Sequence, residues 1–301
     1  MTVPSTAHSS GRSVGPTEML WALRVVWVLA GLALAVAVSR ATHDVSDGFI
    51  AAGATYLMVG LVVVAVVVPS PDSLTVSRML VPAGVPSAVV AWIGGHRPVI
   101  GAIALGLALV ATLLVLSGEV AEALVQGSAY GDERRFPLRT PAAILVPAFL
   151  AWAVWCAAAV SAVVLLCNAR WVIGAILAVL ALALTWLVFS RQSRLSNRWL
   201  VLVPAGVVVR DPIVLGETLM VQRTNLASAH LAPIGSEAAD LSGPAGGVAV
   251  EIVVRDMVTA LFPATREHPR GRAIHVQSFL VCPARPGRAL QAMADANLRV
   301  G

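Results

Sequence analysis

Lysine is missing from this sequence: all 21 basic residues in the 301-residue chain are arginine. Charge of either sign is scarce, since charged residues make up 12% of the chain against about 25% in ordinary soluble domains. Hydrophobic residues make up 58%. The formal net charge of +5 is spread thinly, and many arginines border apolar runs. That placement is typical of membrane topology, and it excludes a concentrated basic surface for nucleic acid.

Cysteine and histidine are also few, which limits the chemistry that the chain can support. Three cysteines exclude a disulfide framework, and six scattered histidines form no cluster at metal-ligand spacing. Cys156 and Cys167 share a helix face within one apolar run, so we interpret them as small packing residues. No glycine-rich phosphate loop follows a predicted strand, and no Gly-x-Ser-x-Gly motif is present. The sequence therefore predicts no cofactor, no metal and no enzymatic activity.

The chain does contain long apolar runs, each near the length of a membrane-spanning helix. Residues 1–19 are polar and typical of a disordered tail, although a cleaved signal peptide is a competing interpretation of the first run. Within residues 20–190 we predict six spans: Leu20–Ser39, Phe49–Val68, Met79–Gly94, Val99–Ser117, Pro141–Cys167 and Trp171–Ser190. The third holds Pro82 and Pro86, so it is either a kinked span extended back towards Leu74 or a re-entrant segment.

The placement of arginine predicts how these spans are oriented. With six spans, eight arginines lie on one side of the membrane and three on the other. The larger set is Arg12, Arg78, Arg134, Arg135, Arg139, Arg191, Arg194 and Arg198, and the smaller set is Arg40, Arg97 and Arg170. Because cytoplasmic loops carry the excess of arginine, both termini are predicted to be cytoplasmic in a plasma membrane. If Met79–Gly94 does not cross, the N-terminus lies outside and the count becomes seven against four. In both cases the loop before the fifth span faces the same compartment as the C-terminal tail, because two spans separate them.

The interiors of the predicted spans contain no Asp or Glu. This weighs against a transporter, because a transport pathway usually carries an ionisable residue or matched broken helices. Arg24 lies one turn into the first span, where its side chain can snorkel to the membrane surface. Trp152 and Trp155 lie near the middle of the fifth span, and we expect them to fill space between helices.

Residues 197–301 are predicted to form one cytoplasmic domain, because hydropathy falls sharply after Arg191. Short β-branched segments between turn residues predict six or seven antiparallel strands. They are Trp199–Val203, Gly206–Arg210, Thr218–Arg223, Leu226–Leu231, Val248–Val254, Val258–Phe262 and Ile274–Val281. The fifth and sixth are expected to pair as a hairpin across Arg255 and Asp256, and residues 236–247 are expected to form a loop.

The chain ends with a helix signal. Pro286 suits a first helical turn, and Leu290, Met293 and Leu298 follow at helical spacing. Antiparallel strands followed by one amphipathic helix are the pattern of a small barrel with a closing helix.

This order of elements resembles bacterial pleckstrin-homology-like domains, and the strand–turn–strand segment Trp199–Val209 is the part most similar to their opening hairpin. More broadly, the chain resembles a family of actinobacterial multi-span membrane proteins, most specifically over Tyr130–Pro141 and Trp199–Pro212. The resemblance implies an α-helical membrane bundle followed by a pleckstrin-homology-like barrel. It implies no particular activity, because that fold hosts lipid binding, peptide binding and scaffolding alike.

One loop, within residues 118–140, concentrates charge in this apolar chain. Its candidate binding residues are Tyr130, Asp132, Glu133, Arg134, Arg135 and Arg139. The arginines could hold anionic lipid head groups or an acidic partner, since a juxtamembrane base contributes about 1 kcal/mol near an anionic leaflet. Alternatively, the acids pair with the arginines and dock the loop on the C-terminal domain, with Phe136 and Pro137 packed against it. The balance of charges favours docking.

Just before this loop, Gly118–Gln126 is predicted to be a short helix on the membrane surface, with Glu119 and Glu122 among its residues. Together these features predict a non-enzymatic scaffold or regulatory component, with the loop coupling the bundle to the cytoplasmic domain. The alternative is a transporter or transporter subunit regulated by that domain. The predicted partners are membrane lipids and another membrane or cytoplasmic protein, and no nucleic acid.

Overall fold

The computed structural model describes residues 15–45, 47–95, 98–243, 245–264, 269 and 271–301. Its helices are α1 (Pro16–Ala41), α2 (Gly48–Val67), α3 (Pro71–Gly94), α4 (Pro98–Leu116), α5 (Gly118–Gln126), α6 (Ala142–Cys167), α7 (Trp171–Ser196) and α8 (Pro286–Asp295). Its strands are β1 (Arg134–Pro137), β2 (Trp199–Val203), β3 (Gly206–Arg210), β4 (Leu219–Gln222), β5 (Leu226–Leu231), β6 (Ala239–Asp240), β7 (Val250–Phe262) and β8 (Arg272–Val281).

Six of these helices are long and apolar enough to span a membrane, namely α1, α2, α3, α4, α6 and α7. Within the described residues, the number of candidate spans agrees with the predicted six, and it indicates a multi-pass membrane protein followed by a β-rich region. The third span is longer than its predicted bounds, because α3 begins at Pro71 and runs for 24 residues. Ser70 caps its first turn by accepting a hydrogen bond from the backbone N–H of Ser73 at 3.0 Å.

The two prolines of α3 lie inside a continuous helix. Pro82 and Pro86 each lack a backbone N–H, so each removes one helical hydrogen bond without ending the helix. The continuous helix agrees with the extended span and not with a re-entrant segment. It also corrects the placement of Arg78, which the sequence assigned to a cytoplasmic loop and which lies within α3.

Tryptophan and arginine side chains join the helices through backbone carbonyls. Trp152 of α6 donates its indole N–H to the carbonyl of Met79 in α3 at 3.0 Å. Arg24 of α1 donates from Nε and Nη2 to the carbonyl of Val66 at 3.0 and 2.7 Å. Because Val66 lies in the last turn of α2, where carbonyls have no helical partner, Arg24 caps that helix instead of only snorkelling.

The C-terminal strands form two four-stranded sheets with the orders β1-β2-β3-β4 and β5-β7-β8-β6. All the pairs are antiparallel except β6 with β8, which run parallel. Within the described residues the strands do not close into a barrel, so the predicted barrel is wrong as stated. The closing helix is confirmed as α8, with Pro286 in its first turn and Ala289 and Met293 buried.

The predicted hairpin across Arg255 and Asp256 is also wrong, because both residues lie within the single long strand β7. Asn225, in the turn before β5, explains this. Its backbone carbonyl accepts from Arg255 N–H at 2.9 Å, and its side-chain oxygen accepts from Asp256 N–H at 2.7 Å. Asn225 therefore accepts hydrogen bonds from the two backbone N–H groups that would otherwise lie in a hairpin turn. The pairing of β7 with β8 shifts register at this point, which is a bulge between Val253 and Val258.

Strand β2 joins the two parts of the molecule, because its alternating side chains face two different cores. Leu200 and Leu202 belong to the core of the β-rich region, with Phe136 of β1 and Met293 of α8. Trp199 and Val201 pack instead with residues of the helical part, including Leu23, Trp27, Val120 and Leu124. One face of the first sheet therefore packs on α1 and α5.

Candidate functional site

The charged loop contributes a strand to the C-terminal sheet. Its segment β1 forms the edge of the first sheet, with Phe136 opposite Leu200 of β2. The loop also reaches the end of β8, because Arg139 N–H donates to the carbonyl of Cys282 and Ala284 N–H donates to that of Pro137, both at 2.8 Å. A segment that follows α5 in the chain is thus bonded to the first sheet and to the residues that follow β8. No hydrophobic period-2 signal predicts so short a strand, and its acids and bases are typical of a loop.

Arg135 organises the loop on the side of α5. Its guanidinium donates to both carboxylate oxygens of Glu133, at 2.9 and 3.1 Å, and to Ser128 Oγ at 2.9 Å. It also lies 5.3 Å from the ring centroid of Trp199, within cation–π range. The hydrogen bonds from Arg135 lower the pKa of Glu133, so this carboxylate stays ionised at neutral pH.

Gln126, the last residue of α5, holds the backbone of the same loop. Its amide N–H donates to the carbonyl of Glu133 at 2.7 Å, and its amide oxygen accepts from Arg135 N–H at 2.8 Å. One side chain therefore satisfies a donor and an acceptor beside the β1 edge, as a neighbouring strand would. The strand and the helix consequently form one unit.

A second charged cluster joins α5 to α8. Arg288 Nη2 lies 3.2 Å from Glu122 Oε1, and Arg285 lies 3.6 Å from Glu119 and 3.7 Å from Glu122. Glu122 is buried, and the loss of hydration raises its pKa, although Arg288 and Arg285 oppose that shift. Within the described residues, Glu122 Oε2 and Arg285 Nη1 make no hydrogen bond, and they face each other as the ion pair at 3.7 Å.

The two clusters border one cleft of about 440 Å³, which we call the α5–α8 cleft. Glu122 of α5, Arg134 and Arg135 of β1, and Arg288 and Asp295 of α8 line it, together with Gln126 and Phe136. Arg134 and Asp295 face each other across it at 3.8 Å, and both are more than half exposed. The cleft can therefore offer charges of both signs to a polar ligand or to a partner's side chains.

The six predicted site residues divide between three places. Arg134 and Arg135 line the α5–α8 cleft, and Glu133 lies beside them, hydrogen-bonded to Arg135. Tyr130 is 91% exposed and lies with Asp132 at the tip of the loop, where Asp132 has no ion pair within the described part of the chain. Arg139 lies beyond β1, where its guanidinium reaches the carbonyls of Gly246 and Ala284 at 3.5 Å. Their role as a binding site stays a prediction.

Sequence reasoning missed the other half of this region. Arg288 and Asp295 on α8 and Arg285 at its N-cap received no role, although the two arginines are three residues apart and both reach Glu122. It also missed Arg198 and Asp211, which are fully buried and paired at 2.6 Å. Arg198 reaches the loop as well, because its Nη1 donates to the carbonyl of Arg139 at 2.8 Å.

No family model, curated protein or solved structure matches this chain with significant similarity. Within the described ranges, no group of three or more His, Cys, Asp or Glu side chains is placed to hold a metal ion.

Proposed function

We propose that this protein is a non-enzymatic scaffold or regulatory component of the plasma membrane, whose C-terminal region is coupled to the helical bundle through the 130–141 loop. One observation carries the proposal: β1, a segment between two helices of the bundle part, is the edge strand of the C-terminal sheet. A displacement of that sheet would pull directly on α5 and on the start of α6. The α5–α8 cleft is the contact surface that such a component would offer to a partner.

The orientation belongs to the same proposal. Arg134, Arg135, Arg139, Arg191 and Arg194 lie on the side of the C-terminal region, and cytoplasmic loops carry the arginine excess. Both termini and the α5–α8 cleft then face the cytoplasm. We also propose that the chain is related to actinobacterial membrane proteins and that its C-terminal region is related to pleckstrin-homology-like domains. The two sheets and the closing helix of this region would supply a scaffold for binding rather than for catalysis.

Hydrogen–deuterium exchange of the full chain in detergent micelles tests the coupling. The backbone N–H groups of residues 134–136, 138 and 139 should exchange slowly in the wild type, because they are bonded to β2 and Arg198, to Gln126 and to Cys282 just beyond β8. Arg135→Ala should speed exchange in 134–139 and in β2, since it removes the bonds to Glu133 and Ser128. Arg134→Ala is the matched control, because its one ion pair is exposed and weak. Fast exchange of 134–139 in the wild type would refute the coupling.

A transporter is the second candidate, and Arg78 is the observation that favours it. This arginine lies in a membrane-spanning helix, and its Nε is buried without a hydrogen-bond partner in the described part of the chain. Charged residues inside spanning helices often mark the path of an anion or another polar solute. The test is anion flux into liposomes that contain the protein. Flux that Arg78→Ala abolishes and Arg191→Ala retains would favour a transporter over a scaffold. Absence of flux in the wild type would exclude the transporter.

A further inference from the structure

The helical bundle encloses an elongated apolar cavity of about 510 Å³ between α2, α3 and α6. One wall is the segment of α6 from Trp155 to Cys167, which is about 18 Å of helix. Met58 of α2 and Leu80 of α3 line the part of the cavity nearest to Trp155, and Thr42 and Gly94 lie towards the opposite end. The volume is within the range of about 300–1,000 Å³ that ligand sites occupy.

The lining of this cavity has few polar groups that are free to hydrogen-bond with a ligand. Four polar side chains line it, and each donates to a backbone carbonyl of its own helix: Thr42 at 2.9 Å, Thr55 at 2.8 Å, Ser87 at 2.9 Å and Asn168 at 2.8 Å. Among the described residues, no Asp, Glu, Arg or His belongs to the lining. A polar or charged ligand would leave its groups unsatisfied here, which is costly in an apolar environment. The cavity is therefore suited to hydrocarbon.

Helix contacts narrow the cavity near both ends of its α6 wall. On the side of the C-terminal region, Trp155 and Cys156 of α6 pack with Met79 and Ala83 of α3 and with Val188 of α7. Near the other end of α6, Cys167 lies against the backbone of Ala51 in α2. A complete helix of a partner, about 10 Å wide, could not enter without separating α6 from these neighbours. A thin, flexible chain could.

The rim of the cavity lies on the outer surface of the bundle. Leu57 and Leu61 of α2 and Val90 of α3 belong to the lining, and they are 64%, 47% and 40% exposed. In a multi-pass membrane protein, the surroundings of such side chains are the acyl chains of the bilayer. An empty cavity would also forfeit dispersion contacts along its walls, and apolar cavities do not hold water.

We propose that this cavity is a binding site for one acyl chain of a bilayer phospholipid, inserted between α6 and the α2–α3 pair. The chain would lie along α6 and end against Trp155. The head group would remain at the membrane surface beside Thr42 and Asn168, at the end of the cavity away from the C-terminal region. This site is separate from the α5–α8 cleft and does not depend on the proposed function.

Native mass spectrometry of the full chain, extracted from membranes in a mild detergent, tests retention of lipid. The wild type should retain one phospholipid per chain. Ala159→Phe and Ala54→Phe place a ring in the cavity from α6 and from α2, and each should weaken retention by about tenfold or more. Ala157→Phe is the matched control, because Ala157 is exposed on the same helix and outside the lining, and it should retain lipid like the wild type.

A second measurement locates the chain inside the protein. In nanodiscs of phosphatidylcholine brominated along its acyl chains, the emission of Trp155 is obtained as the difference between the wild type and Trp155→Phe. This emission should be quenched, and Ala159→Phe should remove the quenching while Ala157→Phe preserves it. Unquenched Trp155 in the wild type would overturn the proposal. So would equal lipid retention in all variants, or a co-purified polypeptide displaced by Ala159→Phe while lipid retention is unchanged.

Discussion

Arg198 and Asp211 form a bidentate ion pair with no solvent exposure on either side chain. Arg198 Nε donates to Asp211 Oδ1 at 2.9 Å, and Nη2 donates to Oδ2 at 2.6 Å. Arg198 also donates to the carbonyls of Arg139 and Ser242, and Asp211 Oδ1 accepts from the backbone N–H groups of Ile213 and Val214. The pair therefore connects the start of the C-terminal region with the charged loop and with the segment before β7.

Asp211→Ala should destabilise the protein strongly, because it leaves the Arg198 guanidinium buried without its counter-charge. Breaking a buried pair from one side typically costs about 3–5 kcal/mol. Thermal unfolding of the full chain in detergent, followed by intrinsic fluorescence, should show the loss as a lower Tm. The double variant Arg198→Met/Asp211→Leu should recover much of it, since no unpaired charge remains. Equal Tm values for Asp211→Ala and the wild type would contradict this role.

Gly206 turns the chain between β2 and β3, and alanine should not be tolerated there. Its φ is +152°, and an added Cβ would overlap the carbonyl oxygen of Val221 and lie 2.9 Å from the backbone nitrogen of Arg223. Since these atoms are backbone, the sheet must shift, and overpacking of this kind costs about 1–3 kcal/mol or more. Gly206→Ala should lower the Tm, whereas Gly246→Ala, with no atom within 4 Å of its Cβ, should not.

Glu122 should make the junction of α5 and α8 less stable as pH rises. Its pKa in the folded state is raised, mainly by burial, so the folded protein holds this proton more tightly than the unfolded chain does. The associated stability is complete below the unfolded pKa, about 4.3, and is lost as pH rises through the folded pKa. Glu122→Gln should therefore raise the Tm at pH 7.

The same comparison at pH 4 provides the internal control for Glu122. Both side chains are then largely neutral in the folded protein, so the advantage of Glu122→Gln should shrink or vanish. A variant less stable than the wild type at every pH would show that the contacts with Arg288 and Arg285 outweigh the cost of burial.

Glu133 should respond to pH with the opposite sign. Its pKa in the folded state is lowered, first by the hydrogen bonds from Arg135, so its stability is present above the unfolded pKa and is lost as pH falls through the folded pKa. Glu133→Gln should lower the Tm modestly at pH 7 and have little effect at strongly acidic pH. A Tm difference that grew on acidification would refute the pairing. Glu217→Gln is a suitable control, because Glu217 is exposed.

Much of the helical part could be predicted because its signal is local. Runs such as Val99–Ser117 are apolar over nearly their whole length, and a membrane leaves the backbone no low-energy choice but a helix. The bounds of α3 were harder, because Arg78 and the prolines lower its hydropathy while its first turns are stabilised by Ser70 and by contacts with other helices. Strand β2 was also predictable, since β-branched and aromatic residues fill it between turn residues.

The sequence by itself determined that this is a multi-span helical protein with a β-rich C-terminal region, because length, hydropathy and turn residues act over short stretches of chain. Only the tertiary structure decided that β1 is an edge strand, that Arg255 and Asp256 continue a strand, and that Glu122 meets Arg285 and Arg288. Each depends on groups from distant parts of the chain. These groups provide hydrogen-bond partners and counter-charges that the neighbouring residues in the sequence do not provide. Arg135 and Val201 pair across more than 60 residues, and no hydrophobic periodicity in either segment indicates such a distant partner.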